Sequence, residues 1–107
     1  MGGGDNRGQW EMIKDTEVLT FLRDSRESLE TRFSVLRIGV FGSVVRGTAA
    51  EGSDVDILVE LSQPTFDHYM DLKFFLEDSF GHPVDLVLAD SLKPRLAPII
   101  EREVVYA

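Results

Sequence analysis

Three short apolar runs, and the lengths of chain between them, limit what this sequence can fold into. Residues 36–41, 55–59 and 84–88 are strand-length and rich in Val, Ile and Leu. They are bounded by Gly42-Ser43, Ser53-Asp54, Glu60 and Gly81-His82-Pro83. Residues 42–53 join the first run to the second, too little chain for a full crossover helix, so that pair is expected to be antiparallel. The second and third runs are separated by a helix-length segment, which suits a right-handed parallel crossover. The expectation is a small mixed β-sheet with helices packed on it, in the α/β or α+β class. No internal repeat is visible.

The helices are legible from their period. Over residues 14–33, Val18, Leu22, Leu29 and Phe33 recur at helical spacing, with Asp15 as the expected N-cap and Glu17 in the first turn. Over residues 65–80, Phe66, Tyr69, Leu72, Leu76 and Phe80 form one stripe, and Gly81 suits the position after the last turn. Beyond Asp90-Ser91, prolines interrupt the chain. A turn is expected at residues 92–96, a short helix at 98–102 and a last extended piece at 104–106. Four of the first eight residues are glycine, so residues 1–13 read as a disordered leader without a signal-peptide core, and 14–107 as one domain.

The chemistry concentrates where the first run ends and the second begins. A strand that ends in Gly42-Ser43 and turns into a short helix presents backbone N–H groups and a hydroxyl, a combination suited to phosphate. Gly42 lets the backbone approach a ligand closely. Ser43 serves equally as a helix cap, since capping and phosphate binding use the same groups. Arg46 lies one turn on and can meet either a phosphate or an acidic neighbour. Asp54 and Asp56 stand two apart at the start of a strand, so both carboxylates face one side. Such a pair can be mere turn residues, but carboxylates held this close repel unless a cation lies between them, and Mg²⁺ takes oxygen ligands while leaving room for phosphate. Asp85 interrupts the third run between Val84 and Leu86, where it is costly if buried alone. If the second and third strands adjoin, three aspartates converge, as a two-metal phosphoryl-transfer site requires.

Gly42-Ser43, ten residues, then Asp54-x-Asp56 resembles the signature of the polymerase-beta-type nucleotidyltransferases. The tail, from Leu92-Lys93-Pro94-Arg95-Leu96 through Glu103-Val104-Val105-Tyr106, is similar to that of their smallest members, the minimal nucleotidyltransferase (MNT) domains. The resemblance implies a polymerase-beta-like fold, ATP as substrate, two Mg²⁺ ions, and transfer of AMP to a hydroxyl with release of pyrophosphate. It implies that Gly42 and Ser43, flanked by Arg46, hold the triphosphate. Asp54 and Asp56 would bind metal, and Asp85 would bind the second ion or accept the nucleophile's proton. Many MNT proteins resemble antitoxins that act on a tyrosine of a HEPN-type ribonuclease toxin, so a toxin partner and a homodimer or hetero-oligomer are expected. The chain lacks the helical domain that supplies acceptor binding in larger relatives, which points to an acceptor on another polypeptide. The alternative is a catalytically weak antitoxin that neutralises a basic partner by binding alone.

Composition narrows the field further. With 19 acidic against 11 basic residues and a net charge of −8, the chain lacks the basic face of a general nucleic-acid binder. It suits a basic protein partner. The absence of cysteine excludes disulfides, thiolate metal sites and cysteine nucleophiles. No apolar run is long enough to span a membrane, and a cytoplasmic location is expected. His68 and His82 read as surface histidines, and Lys93 and Arg95 as solvated charges within reach of a triphosphate. Phe74 and Phe75, off the Phe66–Phe80 stripe, belong either to a wider core or to a docking surface.

Overall fold

The computed structural model describes residues 14–47 and 54–107; the expected leader and Ser53 lie outside the described residues. The chain runs α1 (Asp15–Asp24), α2 (Arg26–Phe33), β1 (Val35–Phe41), α3 (Ser43–Arg46), β2 (Val55–Leu61), α4 (Phe66–Phe80) and β3 (Val84–Leu88). A 3₁₀ turn (Ala89–Ser91), α5 (Ala97–Glu103) and β4 (Val105–Tyr106) complete it.

The four strands form one mixed sheet in the order β3-β2-β1-β4. As the connection lengths require, β1 and β2 are antiparallel, and β2 and β3 are parallel across the α4 crossover. The last extended piece becomes β4, antiparallel to β1 on its other side. Alternation sends Val35, Ile38 and Val40 of β1, Val55, Ile57, Val59 and Leu61 of β2, and Val84 and Leu86 of β3 to one face. There they pack with Val18, Leu22, Leu29, Phe33, Leu72 and Leu76 of the helices in a single core. The intervening residues Phe41, Asp56, Leu58 and Asp85 belong to the opposite face, so every site aspartate placed on a strand points away from α1, α2 and α4.

Four expectations are corrected. The single helix over residues 14–33 is two, broken at Ser25, whose N–H donates to the Phe21 carbonyl while its own carbonyl receives Leu29 N–H. Asp24-Ser25-Arg26 offers the core nothing, so no burial opposes serine's preference for a helix end. Lys14, not Asp15, is the N-cap, its N–H donating to Glu17 Oε1 at 3.1 Å. Phe66 is 75 % exposed although it heads the α4 stripe. It lies in the first turn of α4, beside the edge strand β3, beyond which, among the described residues, no further strand lies. His82, expected at the surface, is buried.

Other details settle what the sequence left open. Leu36 is 58 % exposed because Val35 pairs with Leu61 and Arg37 with Glu60, so Leu36 is the extra residue of a β-bulge. Phe75 packs against Phe21 and Phe33, with ring centroids 5.8 and 5.3 Å away, whereas Phe74 is 57 % exposed. His68 Nδ1 lies 2.7 Å from the Gln63 carbonyl, and Thr65 caps α4 by accepting His68 N–H. Among the described residues, no helix is long and apolar enough to cross a membrane.

Candidate active site

β2 begins with Val55 buried against the helices, so Asp56 emerges on the opposite face and Asp54 stands exposed just before the strand. Parallel pairing sets Asp56 directly beside Asp85, with Val55 N–H donating to the Pro83 carbonyl at 2.9 Å to fix the register. Asp85 is exposed, so its place between the buried Val84 and Leu86 carries no desolvation penalty.

Asp56 is the partly buried member of the group. Its carboxyl is pushed up from 3.8 to about 6, first by burial, then by the negative charges of Asp85 and Asp54. A backbone hydrogen bond from Ser43 and the positive charge of Arg46 pull the other way. A carboxyl whose proton affinity is raised by two neighbouring carboxylates is a group that a cation would relieve, and the donors are all oxygen, the preference of Mg²⁺. Among the described residues, no group of three or more His, Cys, Asp or Glu side chains is placed to hold a metal ion by itself.

The loop between β1 and α3 closes on this group. Gly42 has φ +78° and ψ −149°, a conformation essentially restricted to glycine. A Cβ there would land on the Asp56 carboxylate, 2.8 Å from its Cγ. Gly42 therefore does what close approach demands, but the first thing it approaches is Asp56.

The N–H groups of this loop already have partners. Gly42 N–H donates to Glu103 Oε1 at 2.8 Å, and the Ser43 backbone bonds Asp56. Arg46 has met an acidic neighbour: Nη1 lies 2.7 Å from Glu103 Oε2. Those two bonds hold the Glu103 carboxyl below its usual range, the Arg46 contact contributing most. Glu103 is the residue that sequence reasoning missed. Its one signal was its place in the tail similar to the MNT domains, to which no role had been attached. Lys93 and Arg95 are exposed.

Comparison with known proteins gives the family and the fold. A model of the nucleotidyltransferase domain family matches residues 22–107. The protein adenylyltransferase MntA of Thermococcus cleftensis is 45 % identical over 96 residues, covering 89 % of this chain and 97 % of that protein. A solved structure described as a minimal nucleotidyltransferase superposes with a TM-score of 0.72 at 39 % identity, covering 87 % of this chain and 96 % of that one. A complex of a tri-AMPylated HEPN toxin of Shewanella oneidensis with MNT antitoxin shares the fold (TM-score 0.55, 20 % identity). It covers 86 % of this chain and 66 % of that one.

Proposed function

The chain belongs to the nucleotidyltransferase domain family, and from that premise we propose that it is a cytoplasmic antitoxin. In this reading it transfers AMP from ATP to a tyrosine hydroxyl of a HEPN-type toxin. One observation carries the assignment: Asp56 beside Asp85 on adjoining parallel strands, with Gly42 pressed against the Asp56 carboxylate. The adenylyltransferase of Thermococcus cleftensis supports the reaction class, and the Shewanella oneidensis complex supports AMP on a toxin partner.

Asp54 and Asp56, with Asp85, are the groups that would hold Mg²⁺, two ions in this reading. Bound there, Mg²⁺ supplies positive charge for the triphosphate oxygens and the leaving group. Gly42 and Ser43, flanked by Arg46, form the side of the site that receives the triphosphate. Asp85, exposed on β3, orients the acceptor hydroxyl and takes its proton. The hydroxyl oxygen attacks the α-phosphorus, the bond from that phosphorus to the oxygen bridging to the β-phosphate breaks, and pyrophosphate leaves. Labelled ATP, Mg²⁺ and the protein encoded by the adjacent gene test the proposal, which requires that neighbour to be a HEPN-type toxin. Label is expected on a toxin tyrosine with wild type and not with Asp54→Asn/Asp56→Asn; label that survives the double substitution would sink it.

A second reading has its own support. Phe74 stands exposed beside Asp71 and Asp78 at a shallow recess, and the net charge of −8 favours a basic partner. Neutralisation by binding alone predicts that Asp54→Asn/Asp56→Asn still silences the toxin, whereas the enzymatic reading predicts that it does not.

A further inference from the structure

Glu103 comes to the Gly42 loop from the far end of the described chain, and the fold leaves it little freedom once there. It is the last residue of α5, where Val104 N–H closes the helix on the Ile100 carbonyl at 2.9 Å. The next residues are tied to β1: Val105 pairs with Val40, Tyr106 with Gly39, and Ala107 N–H donates to the Ile38 carbonyl at 3.0 Å. Arg26 of α2 reaches the Ala107 carbonyl at 3.2 Å. The seat is narrow. A Cβ on Gly39 would lie 2.7 Å from the Val105 oxygen and 2.9 Å from Val104 Cγ2.

The carboxylate delivered this way holds both ends of the turn that carries Ser43. One oxygen takes Gly42 N–H and the other takes the Arg46 guanidinium. Gly42 is thereby held from two sides. Its N–H faces Glu103, and its Cβ direction faces Asp56. The Glu103 side chain is 23 % exposed and that of Arg46 54 %, so the Gly42 bond is partly sheltered while the Arg46 ion pair faces solvent.

We propose that Glu103 is a positioning residue for the nucleotide site, fixing the Gly42–Arg46 turn against Asp56 before any nucleotide arrives. The inference rests on the nucleotidyltransferase reading above and deepens it. A turn already in its binding conformation loses less entropy when the triphosphate docks, so the clamp acts on nucleotide affinity. Arg46 contributes through the same turn, because its guanidinium also neutralises Glu103, which would otherwise add a fourth negative charge near the three aspartates.

The test uses the full chain and three readouts: thermal melting, the Gly42 amide resonance of the metal-free protein, and the Kd for ATP with Mg²⁺ by calorimetry. Glu103→Ala is expected to fold, to shift the Gly42 amide, and to weaken Kd by about tenfold. Glu103→Gln keeps an acceptor for Gly42 N–H but loses the ion pair, so it is expected to rescue in part, about threefold weaker than wild type. Kd for Glu103→Ala within twofold of wild type overturns the inference. So does tighter binding, which would mean that the carboxylate competes with phosphate. If Glu103→Ala does not fold, Glu103→Gln decides: about threefold weaker binding upholds the inference, and equal or tighter binding overturns it. A wild-type protein that binds no nucleotide sinks the nucleotidyltransferase reading and this inference with it; normal wild-type binding with unweakened variants sinks the inference alone.

Discussion

Asp56 and Asp85 are paired across the parallel strands β2 and β3, and the charge of Asp85 is the second-largest cause of the raised Asp56 proton affinity. Asp85→Asn should therefore do two separable things. It should lower the Asp56 pKa from about 6 in the metal-free protein, read by carboxyl carbon NMR. It should also reduce AMP transfer by roughly 10²–10⁴-fold if Asp85 accepts the proton of the acceptor. A lowered pKa with normal transfer would remove Asp85 from the chemistry and leave it as an electrostatic neighbour.

The same shift makes stability depend on pH in an uncommon direction for a carboxylate. The folded chain holds the Asp56 proton more tightly than the unfolded chain does, with a pKa of about 6 against 3.8. This contribution is complete below about 3.8 and is lost as pH rises through about 6. Without metal, Asp56→Asn should be more stable than wild type at pH 7–8, on the order of 1 kcal/mol after solvent screening, and the difference should vanish near pH 4. Thermal melts across that range check it. Mg²⁺ should narrow the gap at neutral pH and bind more weakly below about pH 6, where the carboxyl must first lose its proton. Glu103 works in the opposite sense: its lowered pKa stabilises the fold above its usual range, and this is lost as pH falls.

Gly42→Ala combines two faults. A side chain at φ +78° is strained, and its Cβ collides with the Asp56 carboxylate. The backbone strain alone is worth about 1–3 kcal/mol. The collision must move Asp56 or the loop, so nucleotide binding should fall further than stability does. Near-normal ATP affinity in a folded Gly42→Ala protein would show that the contact with Asp56 is dispensable.

What could be read from the sequence was what depends on local pattern and connection length. The antiparallel β1/β2 pair followed from the short connection, the parallel β2/β3 pair from the helix-length one, and the facing aspartates from alternation on those strands. What escaped depends on tertiary position. Ser25 breaks a helix whose apolar spacing runs straight through it. Leu36 reads as core but is turned out by a bulge, and Phe66 reads as core but overhangs an edge strand. His82 resembles any loop histidine, yet it is buried. Glu103 sits in the charged run Glu101-Arg102-Glu103, which looks like a solvated helix end, and its partner Gly42 is 61 residues away. No periodicity reports a contact at that separation.

Gly39 tests whether that long-range contact is maintained by the C-terminal strand. It lies inside β1, and its value is the space it leaves, since a methyl group would meet the Val105 oxygen at 2.7 Å and Val104 Cγ2 at 2.9 Å. Gly39→Ala should push β4 off the sheet edge, with a loss of about 1–3 kcal/mol as for other overpacked sites. Ala107 N–H should exchange faster as its bond to the Ile38 carbonyl opens. Glu103 moves with β4, so ATP affinity should weaken in parallel although Gly39 touches no nucleotide. A Gly39→Ala protein with an exposed Ala107 amide but an unshifted Gly42 amide and unchanged Kd would uncouple the strand from the site. Glu103 would then hold the loop from α5 alone.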